Sequence, residues 1–394
     1  MRVTTVLRVA LRRISSRPFQ TFSVVSVIAF SSGLAVALFL AASGLRLGLV
    51  NAVAPFDIAA GVRGSPYQLV LNTVFLQDVP AGNIPADAAQ RLSDDSRVDL
   101  AIPVALGDTY AGLPVVGTTS AITDVKVKGV PWLRIKEGRF WDGAFEAVVG
   151  AKAAALTGLR PGDIFRTTHG SIGGEEHGTP FKVVGVCHSV HGPYDRAILV
   201  DIASVWAEHD HGGDGHESES GGEVTAMLIR PRSYADAYGL LASYQRDQSC
   251  QVVFPAQTAV RLFSIIGQGE EFLRAVVRSV AVCTLLTTIL ILYWSGASRR
   301  DERELLHILG VPHGALAAIS WLEGTMLLSS GVALGWIIGR AGVAAAFGLL
   351  GNATAIEPTI PLSAGEISIP AALLAAGSIG AFFTALEHTS DRQP

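Results

Sequence analysis

Charge is scarce in this chain. Asp, Glu, Lys and Arg make up 16% of its 394 residues, against roughly 25% in soluble domains. Lysine is confined to five positions between Lys126 and Lys182. Three cysteines in a chain of this length exclude a disulfide scaffold. A hydrophobic content of 49% with a net charge of only −4 excludes a disordered chain. A pI near 6.2 argues against a protein that coats nucleic acid. No Gly-x-x-x-x-Gly-Lys-Ser/Thr occurs, so the sequence shows no phosphate-binding loop of its own. Gly-x-Ser-x-Gly, His-Glu-x-x-His and the kinase set are missing too, and nothing in the sequence argues for catalysis.

The apolar residues are clumped. Phe19–Leu45 runs for 27 residues without a charge, and a helix of that length, at about 1.5 Å per residue, crosses a bilayer. Ser279–Ala297 is a second such run, Gly314–Gly339 a third with Glu323 as its only charge, and Ile367–Leu386 a fourth. The first is longer than the roughly 7–15 residues of a signal-peptide core and is read as a retained helix. Positive charge sets the orientation. Residues 1–18 carry Arg2, Arg8, Arg12, Arg13 and Arg17 and no acid; Arg299, Arg300 and Arg303 follow the second run. Both ends and the 298–313 connection therefore face the cytoplasm. Residues 46–274, with 26 acids against 19 bases, lie outside.

The expected fold class is an α-helical membrane protein with four transmembrane helices and an α+β extracytoplasmic domain inserted between helices 1 and 2. The expected parts are an amphipathic cytoplasmic helix (1–18), spans at 19–45, 275–297, 314–339 and 367–386, the outer domain (46–274), a cytoplasmic coupling segment (298–313), an outer loop (340–366) and a cytoplasmic tail (387–394). Arg340 fits its position poorly, because apolar sequence resumes at Ala341–Leu350; the third helix either bends there or runs on along the outer surface. In the outer domain, strands are expected at Tyr67–Phe75, Val98–Leu106, Val115–Thr118, Val125–Val130, Ala147–Gly150, Phe181–Cys187, Ala197–Val200, Val224–Ile229 and Gln251–Phe254. Helices are expected at Pro85–Leu92, Ala151–Leu156, Tyr234–Arg246 and Ala256–Arg274, the last leading into the second span. Cys187 and Cys250 share the oxidising side, where a disulfide is open to them.

Residues 298–313 read Ser-Arg-Arg-Asp-Glu-Arg-Glu-Leu-Leu-His-Ile-Leu-Gly-Val-Pro-His. Gly310 and Pro312 end a short helix, and Leu305, Ile308 and Leu309 share one face of it. Such a helix can dock a cytoplasmic partner or simply anchor a loop at the interface. The segment Arg299–Leu306, followed by Leu309–Gly310–Val311, resembles one found after the second helix in permease subunits of the MacB/FtsX/LolC-type ABC systems, which are FtsX-like permeases with a MacB-like periplasmic core domain. Glu323 in Trp321–Gly324, the run Gly61–Leu71 and Pro80–Pro85 are similar to that family as well. The resemblance extends over nearly the whole chain.

What the resemblance implies is a non-catalytic, homodimeric subunit of the bacterial inner membrane. A separate ABC ATPase docks on Arg299, Arg300, Arg303, Glu304, Leu305, Ile308, Leu309 and Gly310, and its stroke is passed by mechanotransmission to the outer domain to move, export or release a substrate there. A periplasmic binding or outer-membrane partner fits the same picture. The alternative is an FtsX-like subunit that signals to a periplasmic or cell-wall partner without transport.

Seven of the ten histidines lie between His169 and His216. His209, His211 and His216 stand in a Gly-, Asp- and Glu-rich run, and His169 and His177 flank Glu175 and Glu176. Imidazole and carboxylate are zinc ligands, so zinc is the candidate cofactor at this His-rich loop; the other reading is a solvated low-complexity insertion. His188 and His191 beside Cys187 form a third group. Glu323 is a carboxylate inside an apolar run, an expensive placement that marks function. The other apolar runs offer it no acid or histidine, which favours a neutral, interhelical hydrogen-bonding role over a proton relay.

Overall fold

The computed structural model describes residues 3–169, 178–210, 224–266, 268–297, 305–306, 308–353 and 364–390. They fall into two units, one built from helices at the two ends of the chain and one holding the chain between Leu45 and Ile266. The basic start folds as α1 (Val3–Ser16), and α2 (Pro18–Val53) follows at once. Arg17 separates them because the residue before a proline is pushed out of helical backbone. Pro18 itself suits a first helical turn. Across this break the Thr21 hydroxyl donates to the Ile14 carbonyl at 2.8 Å.

The second unit is built on one mixed sheet. Its strands, in chain order, begin with β1 (Ile58–Gly61), β2 (Val98–Tyr110) and β3 (Leu113–Thr118). A separate two-residue pair, β4 (Lys126–Val127) and β5 (Val130–Pro131), closes over Lys128 and Gly129, both at positive φ, as in a primed hairpin turn. Then come β6 (Ile135–Gly138), β7 (Glu146–Val149), β8 (Ile164–Phe165), β9 (Thr168–His169), β10 (Phe181–Cys187), β11 (Ile198–Asp201), β12 (Ala226–Pro231) and β13 (Gln251–Val253). The order across the sheet is β13-β1-β12-β2-β3-β11-β7-β10-β6, with β8 on β10 and β9 on β2. Pairing is parallel at β3/β11 and β7/β10.

Successive side chains enter cores on opposite faces, as strand period dictates. Ala59, Ile102, Val104, Val116, Val148, Leu199, Ala226 and Leu228 share one core with α3 (Pro66–Thr73) and with Ala259 of α8 (Pro255–Ile266). Their neighbours face the other way. Ile58, Ala60, Met227 and Ile229 pack with α4 (Ala86–Ser93) and α7 (Tyr234–Tyr244). Val115, Ala147, Val149, Ile198 and Val200 pack with α5 (Ala151–Thr157) and α6 (Ile202–Asp210). A sheet covered on both faces has short strands that read as nearly continuous apolar runs.

Tyr67–Phe75, expected as a strand, is instead α3. Ser65 caps it by accepting the Gln68 N–H, Pro66 opens the first turn, and Leu69, Val70 and Thr73 are buried at helical spacing. β1 lies outside every expected strand, since Ile-Ala-Ala-Gly has little strand propensity; its backbone is held on both sides, by β12 and by β13. Cys187 and Cys250 are both free and buried, in cores on opposite faces of the sheet, so no disulfide joins them. Burial pushes the Cys187 thiol up to about 12, which makes it inert rather than reactive. Leu49, Ala52 and Val53, the last turns of α2, pack into the first core together with Phe56. Phe56 meets Trp132 at 5.1 Å and Trp132 meets Tyr194 at 5.0 Å. The Tyr194 hydroxyl donates to the Thr73 carbonyl at 3.0 Å, which satisfies its buried polar end.

The remaining helices are α9 (Gln268–Ala297), α10 (His313–Ala353) and α11 (Ala364–Ser390). Among the described residues, three helices are long and apolar enough to cross a membrane: α2, α10 over His313–Leu349, and α11 over Glu366–Phe383. Among the described residues, α9 carries the shorter apolar stretch Arg278–Leu290. Helix α10 runs on past Gly339, through Arg340, to Ala353.

Candidate functional site

The expected docking segment is partly described. Arg299, Arg300, Arg303 and Glu304 lie outside the described residues. Leu305, Leu306 and Ile308 are helical, and the geometry of the helix end is set by Gly310 at φ +87°. The Val311 N–H reaches back to the Leu306 carbonyl at 3.1 Å, five residues earlier, which is the outer bond of a Schellman cap. Pro312 then starts the next helix, its carbonyl accepting from the Ala315 and Leu316 N–H groups. This cap fixes Leu305, Ile308 and Leu309 at 63%, 78% and 72% exposure. Three large apolar side chains side by side on a capped helical turn form a contact surface for something apolar.

Polar groups mark both ends of the α10 interior. Near its start, Glu323 is buried, and its carboxylate stands 3.8 Å from the Arg13 guanidinium of α1, which is also buried. The amphipathic start thus supplies Glu323 with a cation. A search of the sequence for acids and histidines passes over it. The visible signal is the spacing within α1: Val6, Ala10 and Arg13 share the face that Arg8 and Arg12 do not. Toward its other end, Arg340 donates to both oxygens of Glu366, each at 2.6 Å, and the Trp336 indole donates to the same carboxylate at 3.0 Å. Glu366 is fully buried. The poorly fitting Arg340 thus has its counter-ion one residue before the fourth apolar run, and α10 can keep its helix through the charge.

Between these two polar contacts lies a glycine seam. Gly331, Gly335 and Gly339 fall at steps of four and face α2. A Cβ on Gly335 would sit 2.6 Å from the Ala29 carbonyl oxygen and 2.9 Å from the Gly33 nitrogen, as well as against the Ser32 hydroxyl. A Cβ on Gly331 would sit 2.6 Å from Ile28, and one on Gly339 2.5 Å from the Gly33 carbonyl oxygen. The backbones of α2 and α10 approach as closely as small residues allow. Val24, Ile28, Leu327, Leu328 and Val332 fill the seam on the side of Glu323.

The histidine candidates divide. His177, His211 and His216 lie outside the described residues. His169 ends β9 and His209 lies in the last turn of α6. The structure brings β9 and the end of α6 together: the Thr167 hydroxyl, two residues before His169, donates at 3.3 Å to the buried carboxylate of Glu208, one before His209. Among the described residues, no group of three His, Cys, Asp or Glu side chains is placed to hold a metal ion. His188 and His191 flank Ser189, whose hydroxyl donates to Asp195 at 2.7 Å and accepts the His191 N–H at 3.1 Å. That arrangement is a bonded turn.

No family model matches the chain, and no curated protein matches it. Solved structures do. The periplasmic region of MacB from Actinobacillus actinomycetemcomitans is 12% identical with a TM-score of 0.36, over 54% of this chain and 95% of that one. The extracellular domain of the noncanonic ABC-type transporter YknZ from Gram-positive bacteria is 15% identical with a TM-score of 0.31, over 50% of this chain and 98% of that one. The chain is similar to both.

Proposed function

We propose that the chain is the membrane subunit of an ABC-type system of the MacB/FtsX kind, working with a separate ATPase. The observation that carries this reading is the exposed Leu305–Ile308–Leu309 surface, held by its Gly310 cap, on a chain whose sequence has no phosphate-binding loop of its own. In this reading the surface lies in the cytoplasm beside the arginine-rich residues 299–303, and α9 is the second of four spans. The ATPase seats on the surface and pulls on α9 and α10. The glycine seam and the buried ion pairs make α2, α10 and α11 move together, and α2, whose last turns pack in the core of the outer domain, passes the stroke outward. The chain acts as a homodimer in the bacterial inner membrane and moves, exports or releases a substrate on the outer face.

The chain reconstituted alone in vesicles is expected to hydrolyse no ATP. Adding its ATPase is expected to give hydrolysis that the Leu305→Ser/Ile308→Ser/Leu309→Ser variant reduces to the rate of the ATPase by itself. Unchanged stimulation in that variant sinks the docking assignment.

Zinc capture by His169, His177, His209, His211 and His216 is a finer part of the proposal, supported by their clustering in the sequence and by the Thr167–Glu208 hydrogen bond beside His169 and His209. Calorimetry on the reconstituted chain is expected to show zinc binding that replacing all five histidines with alanine removes. Identical titrations for both proteins reject it.

A further inference from the structure

The amphipathic helix α1 has two functions on two faces. One face is buried and carries Ala10 and Arg13. The other is open and carries two parallel stripes. Leu7 and Leu11, at i and i+4, are 39% and 51% exposed. Arg8 and Arg12, also at i and i+4, are exposed one residue further round. At about 100° per residue the leucine stripe lies about a quarter turn from the arginine stripe. A helix lying in a membrane surface needs this layout, with short apolar side chains reaching down to the acyl boundary and cations level with the headgroups.

Three further observations say what covers this face. Residues 1–18 contain no acid, so the open face has nothing to neutralise its arginines within its own helix. α1 ends at Ser16 and the long apolar helix α2 begins at Pro18, with the Thr21–Ile14 hydrogen bond joining the two across the break. α1 is therefore held at the level where the span enters the bilayer. Phe19 and Phe22, at the start of that span, are 84% and 71% exposed, and aromatic rings of this kind sit at the boundary between headgroups and acyl chains.

We infer that the Leu7/Leu11 and Arg8/Arg12 face of α1 binds the surface of an anionic lipid leaflet. Arg13 is turned to Glu323 and takes no part in lipid contact. The same helix then touches the bilayer on one side and the ion pair of α10 on the other, so the charge of the leaflet acts on the position of the α10 start. The inference rests on reading α2 as a bilayer span.

The test uses the full chain in nanodiscs of phosphatidylcholine alone or phosphatidylcholine mixed with phosphatidylglycerol. A spin label replaces Leu11 (Leu11→Cys, with Cys283→Ser to remove the exposed native thiol). In the mixed discs the label is expected to be reached by oxygen and shielded from a water-soluble nickel reagent, and less so in the neutral discs. Native mass spectrometry of the unlabelled chain is expected to show preferential retention of phosphatidylglycerol. Arg8→Gln/Arg12→Gln is expected to weaken that preference about fivefold for each arginine, and Arg8→Lys/Arg12→Lys to keep it. The inference is overturned if the label stays in water in both discs, if its depth is the same with and without anionic lipid, or if the glutamine variant keeps the full preference. Shielding that appears only after the ATPase is added also overturns it, and assigns the face to a protein. Failure of the chain to insert in either disc rejects the span reading instead.

Discussion

Replacing Glu366 with alanine is expected to destabilise the helical unit by about 3–5 kcal/mol, the usual cost of removing one partner from a buried pair. Glu366 is fully buried and accepts from Arg340 at both oxygens and from the Trp336 indole. Its removal takes the counter-ion from a guanidinium that is itself mostly covered, at 29% side-chain exposure. The cost comes from leaving a charge in a poor solvent, more than from any net strength of the pair. Two further variants separate these terms. Glu366→Gln keeps an acceptor for Trp336 and most of the volume, and is expected to fall between wild type and alanine. Arg340→Met/Glu366→Met removes both charges and is expected to recover most of the loss, because well-packed apolar residues commonly replace buried pairs at little cost. Thermal unfolding of the purified chain in one detergent gives all three values. A double variant as unstable as Glu366→Ala contradicts the charge argument and points to packing.

Gly335→Leu is expected to cost about 3 kcal/mol, the upper range for overpacking a filled interior. It is also expected to separate α2 from α10. A single added methyl already falls within 3 Å of two backbone atoms, Ala29 O and Gly33 N, and backbone cannot swing aside as a side chain can. The helices must part, and the seam from Gly331 to Gly339 opens with them. The control lies on the same helix. A Cβ on Gly342 meets nothing within 4 Å, so Gly342→Ala is expected to be neutral or slightly stabilising, by up to about 1 kcal/mol from helix propensity. Cross-linking between cysteines placed on α2 and α10 reads the separation, and unfolding reads the cost. Equal behaviour of the Gly335 and Gly342 variants contradicts the seam.

Much of this architecture is legible in the sequence. The uncharged runs mark the long helices because an unbroken apolar stretch of bilayer length has no place on the surface of a soluble fold. Most strands of the second unit are visible as short apolar runs between turns, since the sheet is buried on both faces. The failures have local causes. Ser65–Pro66 outweighs an apolar run and makes Tyr67–Phe75 a helix. Ile58–Gly61 becomes a strand through its neighbours alone, which no window of four residues can show.

The site is less legible. Leu305, Ile308, Leu309 and Gly310 follow from spacing and cap chemistry, both local. Arg13–Glu323 and Arg340–Glu366 join residues far apart in the chain, and only packing brings them together. Glycines at 331, 335 and 339 stand in plain view as a small-residue repeat, but each reads alone as an ordinary membrane glycine. A seam becomes evident only once the facing backbone of α2 is known.

The central claim is that a separate ATPase works through the Leu305–Leu309 surface. Its most direct test is purification of the full chain from native membranes, with mass spectrometry of everything that comes with it. A protein carrying Gly-x-x-x-x-Gly-Lys-Ser/Thr is expected to accompany the wild type and to be lost from Leu305→Ser/Ile308→Ser/Leu309→Ser while that variant stays folded. Absence of any such protein from the wild-type preparation, or its full retention by the variant, contradicts the account.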